Sequence, residues 1–166
     1  MVQGACIAGG LMLAWVCDLI VASEDAFFQD PVVPLMGIPG VEYFAHCHEL
    51  NPRIAKEFLF LGERMSAERA YQMGMVNRVV PRTDLIDEVR RVTDRLSAQP
   101  RLALQLAKQA CNHMETLSGK EAGMDAAFGY HHFAHANNTI VKGDYIAGFD
   151  GKKMAEANKA QAEKRD

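Results

Sequence analysis

Residues 4–10 read Gly-Ala-Cys-Ile-Ala-Gly-Gly, and an apolar run, Leu-Met-Leu-Ala-Trp-Val, follows at once in residues 11–16. This pattern predicts a strand end, a glycine loop and an apolar helix from about Gly9 to Val16, buried all round. The first amides of a helix point outward and carry partial positive charge. Gly9 and Gly10 would therefore offer unhindered donors to an oxygen atom that becomes negative.

Several short motifs follow this stretch at a regular spacing. They are Cys17-Asp18, Ser23-Glu24-Asp25-Ala26, Phe28-Gln29-Asp30-Pro31, Gly37-Ile38-Pro39-Gly40 and Gly74-Met75-Val76-Asn77-Arg78-Val79-Val80-Pro81. From Val2 to about Lys108 the chain resembles the crotonase superfamily, which comprises the enoyl-CoA hydratases and isomerases. The resemblance implies an α/β fold, the crotonase-like ββα-spiral core, truncated at the N-terminus. It also implies that residues 1–4 end an internal strand and that strand-helix units precede them.

The same resemblance suggests how the chain is organised. Residues 1–81 are expected to form the C-terminal part of the crotonase-like core, and residues 82–166 a helical, trimerisation region. The implied assembly is a homotrimer or hexamer.

Composition excludes several classes of protein. With 166 residues, of which 49% are hydrophobic and 23% charged, the chain has the size and content of one globular domain. A net charge of -3 with dispersed lysines and arginines argues against nucleic-acid binding. Polar and glycine residues interrupt the first apolar run, so neither a membrane span nor a signal peptide is predicted.

The cysteines indicate a reducing environment. The four are far apart and form no C-x-x-C pair: Cys6, Cys17, Cys47 and Cys111. This spacing favours reduced thiols in a cytoplasmic protein over disulfides or a zinc site. All four are interpreted as packing residues.

Periodicity and capping signals predict the remaining elements. The expected strands are Leu19–Ala22, Phe27–Phe28 and Val76–Val80, with an irregular stretch between Asp30 and Gly40. The expected helices are Pro52–Leu61, Ala67–Met73 capped by Ser66, Asp84–Leu96 capped by Thr83, Arg101–Met114, Lys120–Asn137 and Asp144–Lys164. The last ten or so residues are expected to fray.

The resemblance also implies a chemistry. In the family, two backbone amides hold the oxygen of an acyl-CoA thioester while enolate-like charge develops, and Gly9 matches the residue that supplies one of them. The other amide comes from a loop in the preceding part of the fold. Alone, the glycine pair would favour close helix packing; the resemblance favours the oxyanion role. Coenzyme A is part of the substrate, and neither a cofactor nor a metal is implied.

Two departures from the family bear on the reaction. Hydratases carry glutamates at the positions of Met12 and Val32, and neither residue here can transfer a proton. Hydration itself is therefore doubtful, and isomerisation or other enolate chemistry stays open. Asp30 and Glu42 are the candidate replacements, with Glu42 ranked ahead. The alternatives are an Asx-turn at Asp30 and a favourable first-turn acid at Glu42.

The remaining candidates are substrate-binding residues, predicted to line the acyl pocket or its approach. They are Gly10, Met12, Pro31, Val32, Pro39 and Gly40.

The histidines suggest sites that the sequence does not support. His131 and His135 lie four residues apart on one predicted helix, but no H-E-x-x-H pattern or acidic third ligand accompanies them. We therefore expect a packing or surface role. Cys47 lies between His46 and His48, and neighbouring residues on a helix point in different directions, which argues against a Cys-His nucleophile.

Three functional hypotheses follow. The leading one is an acyl-CoA-transforming enzyme of the enoyl-CoA hydratase/isomerase family, with Gly9 as an oxyanion donor. The second is a non-catalytic acyl-CoA-binding or assembly subunit, favoured by the loss of both hydratase glutamates. The third is an inactive truncated fragment.

Overall fold

The computed structural model describes residues 1–152 and 154–156. Its strands are β1 Ala5–Ile7, β2 Val21–Ser23, β3 Phe27–Gln29, β4 Met65–Ser66 and β5 Arg78–Val80. Its helices are α1 Gly9–Trp15, α2 Val32–Met36, α3 His46–Glu49, α4 Pro52–Leu61, α5 Ala67–Gln72, α6 Leu85–Ser97, α7 Arg101–Leu117 and α8 Lys120–Lys142, with a 3₁₀ turn at Arg82–Asp84.

The strands form two small sheets. In one, β1 pairs in parallel with β3, and β3 pairs antiparallel with β4; in the other, β2 pairs in parallel with β5. Val2 forms a parallel β-bridge with Ala22, so the backbone just before β1 is also extended. Because β1 and β3 run parallel with Ile7 opposite Gln29, their carboxyl ends lie side by side.

One apolar core joins the sheets to the helices. Leu11 and Trp15 of α1, Phe28 of β3 and Phe58 of α4 lie in the same buried cluster. A smaller cluster contains the buried residues Val32, Ile38 and Val41. In the described part of the chain no residue of α7 is buried. The predicted division at residue 81 stays a prediction.

Helix α1 lies where the glycine motif predicts it, but it is not buried on all sides. Leu11, Ala14 and Trp15 are buried, whereas Leu13 is 73% exposed and Val16 is 58% exposed. The prediction of an all-round buried helix is wrong for the described residues, because α1 has packing partners on one side only.

One of the two predicted side-chain caps is present: Ser66 accepts from the Arg69 amide at the start of α5. Pro52 opens α4 as predicted, and the preceding Asn51, whose side chain accepts from the Arg53 amide, is a cap that was not predicted. Thr83 does not cap α6, which begins at Leu85 without a side-chain cap. The Thr83 hydroxyl instead donates to the Asp84 carboxylate, within the 3₁₀ turn.

Two further predictions need correction. The stretch after Asp30 is not wholly irregular, because α2 occupies part of it. No helix begins at Asp144: its carboxylate accepts from the amides of Ile146 and Gly148 and closes a turn there. Helical backbone resumes at residues 151–152 and 154–156. The rest of the predicted last helix and the fraying tail lie outside the described residues.

Cys6 is buried, which confirms the predicted packing role for this cysteine. Cys17, Cys47 and Cys111 are exposed, so the prediction is wrong for these three. Burial raises the pKa of the Cys6 thiol to about 11. Since the thiolate is the reactive species, about one Cys6 in a thousand would be ionised at pH 8.

We therefore expect iodoacetamide at pH 8 to alkylate Cys17, Cys47 and Cys111 and to leave Cys6 unmodified. Peptide mass spectrometry measures the extent at each site. Denaturant should expose Cys6 to the same reagent, which serves as the control. Alkylation of Cys6 at the rate of the other three in the native protein would contradict its burial.

Candidate functional site

The site begins at the junction between β1 and α1. Ala8 connects them with φ 47° and ψ -104°, an unusual conformation for a residue with a side chain. The Ala8 amide donates to the Gln29 carbonyl at 3.0 Å, which fastens the junction to β3. Strained backbone of this kind clusters at functional sites.

The first amides of α1 are available to a ligand. Among the residues that the structure describes, no group accepts a hydrogen bond from the amide of Gly9 or Gly10. Both glycines are exposed, and a Cβ built on Gly9 would meet no described atom within 4 Å. Close packing therefore does not explain Gly9 in this part of the chain.

An apolar wall lies next to this junction. Ala8 and Met12 pack against the small cluster of Val32, Ile38 and Val41, which Ala134 of α8 also touches. Met12 and Val32, the positions at which the resemblance implies glutamates in hydratases, thus lie together in one apolar patch. Neither side chain can exchange a proton. Binding of an acyl group at this wall stays a prediction.

Asp30 lies beneath this wall. Its side chain is fully buried and contacts the His46 ring, with 2.9 Å between Oδ2 and Nε2. Oδ2 also accepts from the Val41 amide at 3.2 Å, and Oδ1 accepts from the Val32 amide at 3.4 Å. The predicted Asx-type contact is present, and the contact with His46 was not predicted. The catalytic role of Asp30 stays a prediction.

The histidine beside Cys47 takes part in this buried pair and not in a nucleophile. His46 is fully buried, packs edge-on against Trp15 at 4.7 Å between ring centroids, and leaves Nδ1 without a described partner. Cys47 is exposed. The two side chains therefore point in different directions, as expected for neighbours on a helix.

Glu42 lies on a loop that is fastened at three points. The Gly40 carbonyl accepts from His131 Nδ1 at 3.1 Å, the Val41 amide donates to Asp30, and the Tyr43 amide donates to Met12 Sδ at 3.5 Å. The Glu42 side chain is 54% exposed and its Oε1 lies 3.6 Å from His131 Nε2. Glu42 therefore projects from a defined backbone next to the apolar wall.

The other predicted binding residues have identifiable structural positions. Pro31 is buried and precedes α2, and Pro39 is partly buried in the loop that leads to Glu42. A Cβ at Gly40 would lie 2.7 Å from Phe44 Cε2, so a larger residue here would require the Phe44 side chain to shift. Their contacts with a substrate stay predictions.

Sequence reasoning missed the hydrogen bonds of two histidines on α8. His131 and His135 are buried, which confirms the packing role over the surface role, and their Nε2 atoms lie 3.0 Å apart. The spacing of four residues between His131 and His135 on one helix was the sequence signal that could have indicated this contact. Asn138, also buried on α8, donates to the Met36 carbonyl at 2.8 Å. Together these contacts hold α8 against the wall and the Glu42 loop.

A groove of about 830 Å³ lies beside the site, between the end of α1, α7 and α8. Tyr43 and Glu49 line it, and burial raises the pKa of Glu49 although Lys120 opposes this shift. Gly9 does not line it. The groove therefore adjoins the Glu42 loop but is separate from the free amides of α1.

The comparison with protein families identifies this arrangement. A sequence model described as enoyl-CoA hydratase/isomerase matches residues 1–163. The chain belongs to this family.

Named relatives agree with that assignment. EchA13 of Mycobacterium tuberculosis, a protein named for enoyl-CoA hydratase activity, is 41% identical over 146 residues, which are 88% of this chain and 46% of the relative. The crotonyl-CoA hydratase of Syntrophomonas wolfei is 34% identical over 131 residues, which are 77% of this chain and 50% of the relative. The chain thus spans about half the length of these curated relatives.

Solved structures confirm the predicted crotonase-like α/β fold. A probable enoyl-CoA hydratase from Mycobacterium smegmatis superposes with a TM-score of 0.83 at 47% identity, covering 86% of this chain and 57% of that one. A second, from Mycobacterium thermoresistibile, gives the same TM-score at 49% identity, covering 87% and 58%.

The described residues contain neither a metal-binding cluster nor a helix that could span a membrane. Within residues 1–152 and 154–156, no group of three or more His, Cys, Asp or Glu side chains is arranged to hold a metal ion. In that same part of the protein, no helix has the length and apolar character needed to cross a membrane.

The Asp30 contacts predict a measurable contribution to stability. Asp30→Ala would leave buried His46 unpaired and the Val41 amide without its acceptor, which typically costs about 3 kcal/mol or more. Asp18→Ala is the matched control, because it breaks an exposed ion pair with Lys108, worth about 1 kcal/mol at most. Denaturant unfolding of both variants measures the difference. Equal losses of stability would contradict the role of Asp30.

Proposed function

We propose that this chain forms part of an acyl-CoA-transforming enzyme that stabilises a thioester enolate through the backbone amide of Gly9. The supporting observation is the Gly9 amide, which has no hydrogen-bond partner among the described residues and lies at a strained junction beside an apolar wall. A fixed amide dipole stabilises developing negative charge without reorganisation, and one such donor is typically worth about 3 kcal/mol.

In this proposal the apolar wall holds the acyl group and Glu42 is the general acid/base. Glu42 removes a proton from the carbon next to the thioester carbonyl, and the electron pair of that C–H bond passes into the enolate. The thioester oxygen then gains negative charge at the Gly9 amide. Returning the proton to another carbon would isomerise a double bond.

Hydration by two glutamates is not part of the proposal. Met12 and Val32 occupy the positions that those glutamates take in hydratases, and both pack in the apolar wall. Enolate chemistry that needs one carboxylate is favoured instead. Asp30 is the second candidate, although its oxygens already bind His46 and two backbone amides.

The substrate and the assembly are proposed from family membership. The partner is an acyl-CoA thioester, with coenzyme A as part of the substrate and no further cofactor. A homotrimer or hexamer and a cytoplasmic location stay predictions. Apolar side chains exposed on α7, among them Leu102 and Leu117, are consistent with contacts between subunits.

A pair of substitutions at residue 9 tests the oxyanion donor. Gly9→Pro removes the amide N–H at the first helical position and should lower kcat for acyl-CoA about 10²- to 10³-fold. Its ring also disfavours the φ of 47° and ψ of -104° at Ala8, so the folding of this variant is checked first. Gly9→Ala keeps the donor, and its Cβ meets no described atom within 4 Å. It should retain turnover within about threefold of the wild type, far above Gly9→Pro.

The assay uses the full-length protein and a panel of acyl-CoA thioesters. Circular dichroism establishes that both variants are folded. As a readout independent of turnover, the infrared carbonyl stretch of a bound ¹³C-labelled thioester should move to lower frequency in wild type and Gly9→Ala but not in Gly9→Pro. Equal turnover and equal carbonyl shifts in a folded Gly9→Pro variant would contradict the proposal.

Replacing Glu42 distinguishes the enzyme from a non-catalytic subunit. Glu42→Gln keeps the shape of the side chain but removes its proton-transfer capacity, so turnover should fall about 10²- to 10⁴-fold while acyl-CoA binding persists. Glu24→Gln, an exposed substitution outside the site, is the control. If Glu42→Gln and Asp30→Asn both change the stability of the protein and leave turnover unchanged, the hypothesis of a non-catalytic acyl-CoA-binding or assembly subunit is supported instead.

A further inference from the structure

The two buried histidines of α8 are linked ring to ring. His131 is 5% exposed and His135 is 4% exposed, and their Nε2 atoms lie 3.0 Å apart. Each Nδ1 faces a backbone carbonyl: that of His131 lies 3.1 Å from the Gly40 oxygen, and that of His135 lies 2.7 Å from the Tyr145 oxygen. All four ring nitrogens thus have close polar partners.

The partners determine where the protons are. A carbonyl oxygen only accepts hydrogen bonds, so both Nδ1 atoms must carry a proton. A neutral imidazole has one protonated nitrogen, so two neutral rings would place the lone pairs of both Nε2 atoms against each other at 3.0 Å. A third proton between the Nε2 atoms turns this repulsion into a charge-assisted hydrogen bond. The pair then carries one positive charge.

The geometry suits a proton better than a metal ion. Two histidine nitrogens bound tetrahedrally to zinc at about 2.1 Å would lie about 3.4 Å apart, further than the 3.0 Å observed. Among the described ion pairs, Glu42 Oε1 is the carboxylate oxygen near the pair, 3.6 Å from His131 Nε2. Among the described residues no metal-binding group of three such side chains is found.

Among the described groups that face His131 and His135, one can balance a positive charge on the pair. Glu42 approaches from the loop, His132 lies on α8 with its ring centroid 6.0 Å from that of His131, and the Tyr145 ring stacks on His135 at 3.8 Å. Nearby Asp144 directs its carboxylate to the amides of Ile146 and Gly148. Of the described carboxylates, Glu42 is therefore the one placed against the charge.

We infer that His131 and His135 share one extra proton, and that the resulting positive charge lies against the Glu42 carboxylate and holds it in position beside the apolar wall. The functional part of this inference rests on the proposed role of Glu42 as a general base. The histidines are then positioning residues, because they act on the reaction through Glu42. The shared proton gives the two histidines an electrostatic role, in addition to their structural role of holding α8 against the Glu42 loop.

Nuclear magnetic resonance tests the shared proton directly, without any turnover. In the full-length protein with ¹⁵N-labelled histidine, long-range ¹H–¹⁵N spectra at neutral pH should show three protons on the four ring nitrogens of His131 and His135. His135→Gln should leave His131 with one protonated nitrogen, Nδ1. Two neutral rings in the wild type would overturn the inference. So would signals of the pair that change when EDTA removes a bound metal.

The pH profile of kcat/KM tests the effect on Glu42. His135→Gln keeps a hydrogen-bonding side chain but removes the charge beside the Glu42 carboxylate, so the acidic limb of the profile should move to higher pH. His132→Gln, on the exposed neighbour, is the matched control and should not move the limb. A purely structural role would lower kcat/KM at every pH without moving the limb, which would overturn the inference.

The two experiments separate the inference from the function it builds on. If the spectra show three protons but the protein turns over no acyl-CoA, the charged pair is supported and the proposed reaction fails. If turnover depends on Glu42 but the histidines are neutral, the reaction stands and this inference fails.

Discussion

The buried carboxyl group of Asp30 holds the site together. It connects three segments within residues 30–46: the end of β3, the loop that carries Glu42, and the short helix α3 through His46. A buried carboxyl group is costly unless its oxygens are satisfied, so these contacts hold the segments in one arrangement. The position of Glu42 depends on this interaction more than on any local preference of its own loop.

The second constraint is the abrupt turn from β1 into α1. Parallel pairing with β3 fixes the end of β1, and α1 begins immediately, so Ala8 takes a positive φ at the junction. The result is a helix whose first amides lack described partners and whose first turn contributes Met12 to the apolar wall. The oxyanion donor proposed at Gly9 and the acyl-binding surface therefore come from the same turn of helix.

Much of this arrangement could be predicted from residues alone. The glycine motif predicts the helix start at Gly9, and Pro52 as a first-turn residue predicts α4 with its observed bounds, because both signals act through neighbouring backbone groups. Thr83 shows the limit of such signals. Its hydroxyl had a second local partner in Asp84, and the sequence does not tell which partner wins.

The sequence by itself determined the family, the crotonase-like fold and the absence of glutamate at residues 12 and 32, because these properties follow from local spacing and residue type. Only the tertiary structure decided that Asp30 binds His46, that Glu42 faces His131, and that His131 and His135 meet through their Nε2 atoms. Contacts with His131 cross about ninety residues of chain. Partners so distant are selected by packing of the whole fold, and the pattern around any one residue does not specify them.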